Sequence, residues 1–580
     1  MFDSTMWTHF DGRPRLPGAD NNATLSPADP DVTHVLAMIE HSGTMFKGCQ
    51  ANGAARPLWA LSAGPTWTAV VAANAPAAAQ SVTSFGIQGQ DLFIGLDVGD
   101  IVRRDGSGVY SVPAAGEKAH CLAAYEDDTI VKGRYATAAI EVEKSTDRGV
   151  TWTAVASIGT GATIRATMAP FFAQAPEGGI TRVVMLGLQE GLWAIDVTNN
   201  RAWPVMDLST QVHPSNCLVM VAGIGDQEQG SSADTLYVTV GKLGIAEIHP
   251  NGRTLFVGLN EDDGLPTLVQ GNITTLASST KFLYAGVSVR NIINQNQGTS
   301  DSEFPSIFVM NKETRTWHSF YQHTTANRDI TGLWISSNVD SVNRVYFMAS
   351  QIEVDTVTVQ AKYIRIPTGA KDANELDNID SEANGYIVTP WFNGGFFHLP
   401  KTMLSLIAQH LNVASTRTIE VLYATNDAAY TVAADTNFTS AVTYNTAGPR
   451  STTRLFTTGT EPTETLGVRF DKLRLKFKFS TTDASPKVGA GPRLDSFVTD
   501  YIALPPRLSA WRLKLYNIPG SPTVGADQET FMRAIYRLAH EPLLLAFYPY
   551  GTNVGVPTIP ERYFVRISSL DAQHYEDEHG

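Results

Sequence analysis

The sequence has few cysteines, few charges and no long apolar run. Cysteine occurs three times in 580 residues, as Cys49, Cys121 and Cys217. Those wide, irregular spacings match neither a disulfide framework nor a zinc site, and leave small buried thiols as the plain reading. Charged residues make up only 17 % against 43 % hydrophobic, a balance that excludes general disorder. No run reaches the ~20 apolar residues that a membrane-crossing helix needs. The opening MFDSTMWTHFDGRPRLPGADNNATLSPADPD lacks a basic head followed by an apolar core, so it is not a Sec-type leader. The expectation is a protein made in the cytoplasm that leaves it by some other route. Clustered Lys and Arg are missing too. The formal net charge is −14, which argues against a general surface for nucleic acid or anionic lipid. It leaves room for DNA sliding through an acidic passage.

The chain does have 47 glycines and 30 prolines between runs of Val, Ile, Thr and Tyr, the texture of short strands joined by turns. Similar phrases recur, starting near Thr33, Asp91, Asp128, Arg182, Asp234, Lys281 and Asn343. Their starts average about 52 residues apart, close to the ~40–50 residue repeat of propeller blades. A four-stranded sheet has two faces and little core of its own; radial packing buries both faces. Residues 32–370 therefore read as a β-propeller of about seven blades, with six or eight as the next counts and an array of sandwiches as the other architecture. Trp67, Trp152, Trp203 and Trp317 each follow a turn and are expected to anchor outer strands.

One turn stands apart. KSTDRGVTWTAV, Lys144 to Val155, places Ser145, Asp147, Gly149, Thr151 and Trp152 in the order S-x-D-x-G-x-T-W. Asp can bond amides two residues on, Gly accepts φ > 0, Thr starts a strand and Trp supplies an apolar anchor. The stretch resembles the Asp-box hairpin of sialidases and their non-enzymatic relatives, which implies a structural role away from any active site.

Residues 1–31 read as an extended arm: a tie to a neighbour, a strand closing the propeller, or a leader. Residues 371–385, KDANELDNIDSEANG, read as an acidic exposed linker. Asp372, Asp377 and Asp380 within it lack the EF-hand order of ligands. Residues 386–506 read as a jelly-roll-like β-sandwich. In FDKLRLKFKFSTT, Leu473, Leu475, Phe477 and Phe479 share one face and Lys472, Arg474, Lys476 and Lys478 the other, which is expected to be solvated. Residues 507–580 read as a small α+β module with an amphipathic helix in DQETFMRAIYRLAHEP. The fold class is thus mainly β.

The phrases GYIVTPWFNGGFFHLPK, RLDSFVTDYIALPPR and PLLLAFYPYG with YFVRISSL resemble the C-terminal half of tail proteins of tailed bacteriophages. The resemblance covers about a third of the chain at phrase level. It implies a non-enzymatic structural subunit of the virion tail, in the nozzle, hub or tip. Its implied partners are further copies in a ring, six by family expectation, with adaptor, tube or fibre subunits and DNA passing through the lumen. Assembly in the host and release by lysis account for the missing leader.

Chemistry was sought separately. There is no G-x-S-x-G elbow, H-E-x-x-H or P-loop. YIRIP, Tyr363 to Pro367, echoes a sialidase motif, but it follows the Asp-box here, and the other sialidase groups cannot be assembled, so Arg365 reads as a strand residue. Asp127–Asp128 and Asp262–Asp263 sit beside turn signals, and His120, His213 and His249 lack metal-ligand spacing. No catalytic residue, metal site or cofactor is expected. PWFNGGFF holds Trp391, Phe392, Phe396 and Phe397 beside Asn393, as candidates for a host glycan or for burial at a domain junction. A sialidase-like glycan hydrolase stands as the remaining alternative.

Overall fold

A computed structural model describes strand residues 3–5, the span 32–503 with breaks, and strand residues 545–547 and 563–565; the longest breaks are 224–234, 260–270, 289–304, 366–383, 426–437 and 483–491. The chain divides into two units, Met1–Pro505 and Pro506–Gly580.

The first unit begins with seven antiparallel sheets in chain order, spanning Val32 to Arg365. Six have four strands. The seventh has three among the described residues, ending at Val359–Arg365. The first strand of each sheet touches the first strand of the next, and Arg328–Ser336 of the seventh returns to Val32–His41 of the first. One hydrophobic core fills each of the seven seams. The closing seam joins Val35, Met45, Trp59 and Trp67 of the first sheet to Tyr346, Met348, Ala361 and Tyr363 of the seventh. A ring of sheets packed face to face around their first strands is a β-propeller, so the sheets are blades 1 to 7.

Second strands lie between seams and are apolar on both faces. Asp91–Leu96 of blade 2 is buried at every position, as is Thr235–Thr239 of blade 5. Fourth strands are outermost: in blade 4, Arg201–Asp207 has no fully buried residue. The four tryptophans lie at the starts of fourth strands in blades 1, 3, 4 and 6. Trp317 is buried and its indole N–H donates to the Val257 carbonyl of blade 5 at 2.5 Å.

Two second-strand glycines meet close neighbours, Gly133 within its own sheet and Gly187 across the seam to blade 5. A Cβ on Gly133 would lie 2.6 Å from Cys121 Sγ, and one on Gly187 would lie 2.7 Å from Cys217 Cβ. Real atoms do not pack so close, so these second-strand sites need glycine. The same packing explains the thiols. All three cysteines are buried, and burial pushes Cys121 and Cys217 up to about 12.

First strands carry β-bulges at a repeated place. Pairing skips Leu36 between Val35 and Ala37, Thr83 between Val82 and Ser84, Thr274 between Ile273 and Thr275, and Thr331 between Ile330 and Gly332; blade 1 also skips Thr33, three residues earlier. Three of these bulged threonines reach the next blade. Thr274 donates to the Ile330 carbonyl, Thr83 to the Ala119 carbonyl at 3.5 Å, and Thr331 accepts from the Val35 amide at 3.3 Å. Thr167, at the head of the blade 4 first strand, bonds the Cys217 carbonyl at 2.7 Å.

After the ring come two larger sheets, with a two-stranded one of Thr457–Thr458 and Thr465–Leu466. The first has the order Asp3–Thr5, Asn384–Val388, Leu473–Thr481, Arg417–Thr425, Thr439–Tyr444. The second is built on Lys401–Leu411, which pairs with Arg493–Ala503 on one side and with Ser451–Leu455 and Val468–Phe470 on the other. Both contribute to one core that includes Met403, Leu406, Val421, Phe470, Leu475, Phe477 and Leu494. Two sequence expectations need correction here. Residues 3–5 of the arm pair with Tyr386–Val388, so this part is tied to a sheet of its own chain that follows the ring. Asn384 and Gly385, read as linker, already belong to a strand. The rest of the linker, including Asp372, Asp377 and Asp380, lies outside the described residues.

In the second unit, Leu545–Phe547 pairs antiparallel with Tyr563–Val565. The expected helix of this module lies outside the described residues.

Candidate functional site

The Asp-box forms the turn between the third and fourth strands of blade 3, Ala139–Ser145 and Thr153–Gly159. Asp147 Oδ1 accepts from the Thr151 amide at 2.8 Å, and Oδ2 accepts from the Thr151 hydroxyl at 2.6 Å. Ser145 Oγ donates to Asp147 Oδ1 at 2.8 Å and accepts from the Gly149 amide at 2.9 Å. Gly149 has φ +84°, and a Cβ there would come 2.8 Å from the Phe93 ring of blade 2. The Trp152 indole N–H donates to the Gly149 carbonyl at 3.1 Å and its ring packs on Phe93, Ile101, Ala119, Leu122 and Ile130. The turn is thereby locked internally and pinned to the seam between blades 2 and 3.

These bonds fix the chemistry of the carboxylate. Donation by the Thr151 hydroxyl, then by its amide, holds Asp147 down at about 2. A carboxylate so committed is a poor proton donor near neutral pH. Beneath Trp152, the buried Lys132 ammonium lies 4.4 Å from the ring centroid and pairs with Glu143 at 2.8 Å and with Glu117.

Blades 2, 4, 5 and 6 use related turns at the same position. Asp105 in blade 2 accepts from the Ser107 and Val109 amides, each at 2.9 Å. Asp196 in blade 4 accepts from the Asn199 amide at 3.0 Å and Arg201 Nε at 2.9 Å. Asn251 in blade 5 and Asn311 in blade 6 accept from amides two residues on, at 3.0 Å. Asp or Asn at the turn start is the shared device, because its side chain satisfies amides that the tight turn leaves unpaired. Three of these five turns, those before Trp152, Trp203 and Trp317, were legible in the sequence, and only the first carries the full motif; the rest vary in spacing.

The aromatic candidates divide. Trp391 is half-buried beside Val388, Leu422, Ala424 and Phe438, with the Arg474 guanidinium 4.8 Å from its ring centroid. Phe392 is 38 % exposed and exchanges backbone hydrogen bonds with Leu473 at 2.7 and 2.9 Å. Asn393 beside it is exposed. Phe396 and Phe397 lie outside the described residues.

The basic stripe departs from a solvated face at one position. Leu473, Leu475, Phe477 and Phe479 do fill the core. Opposite them, however, Lys476 is only 3 % exposed, its ammonium 4.2 Å from the Tyr386 ring centroid and 5.6 Å from that of Phe438. Tyr386 and Phe438 cover the sheet at Lys476, while the Lys478 side chain farther along the same face stays 38 % exposed beside Glu420, a difference that period-two alternation cannot reveal.

Other sequence candidates stay apart. Arg365 lies in a strand opposite Arg344. His120 Nδ1 accepts from the Tyr135 amide at 3.1 Å, and His249 pairs with the buried Glu247 at 2.9 Å, beside Arg315 at 3.1 Å. Among the described residues no group of three or more His, Cys, Asp or Glu side chains is placed to hold a metal, and no helix is long and apolar enough to cross a membrane. Asp127, Asp262 and Asp263 lie outside the described residues.

No family model matches the chain, and no curated protein matches it. Among solved structures it is similar to YCF48 bound to a D1 peptide, at 12 % identity and TM-score 0.35, over 58 % of this chain and 95 % of that one. Sqt1 of Saccharomyces cerevisiae is similar at 10 % identity and TM-score 0.37, over 59 % and 98 %. A GH74 enzyme of Niastella koreensis is similar at 13 % identity and TM-score 0.36, over 58 % and 55 %. At these values the propeller rests on the chain's own strand pairing.

Proposed function

We propose that the chain is a non-enzymatic structural subunit of a bacteriophage tail, in the nozzle, hub or tip, with residues 386–506 as a jelly-roll-like sandwich and residues 507–580 as an assembly module. The observation that carries this reading is the order of parts. A closed ring of seven sheets precedes a two-sheet domain that also takes in residues 3–5. The tail-like phrases fall in that second domain and the module after it. Such a chain presents a rigid propeller platform joined to modules that contact further copies around the DNA path, probing symmetry by heterologous contacts. Adaptor, tube or fibre subunits are its other partners, and the virion tail is its location. Purified full-length protein is expected to assemble into closed rings, hexamers by family analogy, in negative-stain images and by mass photometry at micromolar concentration. A protein that stays monomeric in both, also after mixing with phage tail lysate, contradicts the reading.

One observation favours a second reading, a glycan-binding receptor module of the tail. Phe392 and Asn393 are exposed next to the half-buried Trp391, which offers an apolar ring beside an amide. On that reading Phe392→Ala lowers retention on host polysaccharide at least about tenfold, the loss of about 1.4 kcal/mol of contact, with the melting temperature unchanged. Equal retention of variant and parent excludes it.

A further inference from the structure

The seam between blades 1 and 2 contains a histidine whose proton is dictated by its neighbours. His41 ends the first strand of blade 1 and is 5 % exposed. Its Nε2 lies 2.9 Å from the Gln90 carbonyl, in the first turn of blade 2. Its Nδ1 lies 3.1 Å from a terminal nitrogen of Arg104, in the third strand of blade 2. A carbonyl only accepts and a guanidinium only donates. The ring must therefore carry hydrogen on Nε2 and a lone pair on Nδ1, which is the neutral imidazole. Both bonds cross from blade 1 to blade 2.

We propose that His41 and Arg104 form an acid-sensitive latch that holds blade 2 to blade 1 when His41 is neutral and releases Arg104 when it is protonated. A proton from solvent takes the Nδ1 lone pair, so the ring N–H then faces the Arg104 N–H. Two donors and two positive charges now meet in a buried site, and Arg104 must withdraw. Arg104 also lies 5.2 Å from the Phe46 ring centroid of blade 1, so its departure removes a second contact across the seam.

The ionisable surroundings set the balance. Arg104 opposes protonation directly. Asp91, beside Gln90 on the second strand of blade 2, favours it, but Asp91 is itself shared with Arg103 at 4.0 Å and Arg148 at 3.7 Å. Tyr110, on the fourth strand of blade 2, is buried against Arg104 and stays neutral, since burial raises it. On the histidine's own hairpin, Glu40 bonds Ser336 of blade 7 and Lys47 lies over Trp59 and Trp67, both in contacts other than this one. Burial, the largest influence, together with Arg104 lowers the pKa of His41 below that of a free histidine.

Hydrogen exchange by mass spectrometry on the full chain tests the latch, with rates corrected for the intrinsic pH dependence. Between pH 7.5 and pH 5, peptides covering residues 102–111 are expected to exchange severalfold faster in the parent. His41→Gln keeps a donor and an acceptor but does not titrate, and its exchange is expected to stay level. No acceleration in the parent, or the same acceleration in His41→Gln, overturns the proposal. Arg104→Met is the second variant, useful if His41→Gln does not fold. With no guanidinium to release, its exchange is expected to show no acceleration between pH 7.5 and pH 5, and an acceleration equal to the parent's counts against the latch. Ring 15N shifts of His41 at pH 7.5 must report hydrogen on Nε2; hydrogen on Nδ1 refutes the geometry.

Discussion

Single residues explain why the Asp-box turn is built as it is. Gly149 combines φ +84° with a neighbouring ring that leaves no room for a methyl group. Gly149→Ala should cost about 1–3 kcal/mol, from left-handed backbone strain and overpacking together. Urea denaturation reads this directly, and a change below about 0.5 kcal/mol would show the turn to be adaptable. The effect has a pH signature at Asp147. Its folded pKa is depressed, so its contribution is present above the ordinary carboxylate value near 4 and is lost as pH falls toward about 2. The Asp147→Asn variant should therefore differ from the parent at pH 7 and converge with it at pH 2. Ser145, Asp147, Gly149, Thr151 and Trp152 were legible because five residue types with separate physical jobs fell in a short fixed order. Lys132 was not legible: a lysine in a strand gives no sign that Trp152, Glu117 and Glu143 surround it.

At the scale of elements, the repeated phrases mark real sheets, but they mostly mark second strands. Asp91, Asp128, Arg182, Asp234, Lys281 and Asn343 lie at or next to the second strands of blades 2 to 7, and only Thr33 lies in a first strand. Second strands are covered on both faces and so form the longest apolar runs, which is what the eye finds. First strands line the axis and read as mixed sequence. Their recurring signal, in blades 2, 6 and 7, is a two-residue pair, Val or Ile before Thr, at Thr83, Thr274 and Thr331. It is too short to recognise without knowing that each threonine is a bulge. The account predicts that Thr274→Val, which keeps shape and removes the bond to the Ile330 carbonyl, costs about 1–2 kcal/mol. Thr83→Val, at a seam remote in the ring, should add to it nearly independently. Thermal or urea unfolding of the two single variants and the double variant checks both statements. A neutral Thr274→Val would mean that the bulge is held by backbone alone.

For the whole molecule, seven filled seams make the propeller one closed body, in which each blade is supported on two sides. The mainly β class and the blade-like repeat could be read from turn residues and period. The covering of Lys476 could not, because Tyr386 and Phe438 come from elsewhere in the sequence. Function was legible only as a resemblance in phrases such as RLDSFVTDYIALPPR, and the tail reading stands on it together with the order of domains. Immunogold electron microscopy tests that reading most directly, using antibody to this protein on particles released from its source culture. The account predicts gold at the tail end of phage particles. Unlabelled particles, with the antigen free in solution or on cells, would contradict it and turn attention to glycan binding at Phe392.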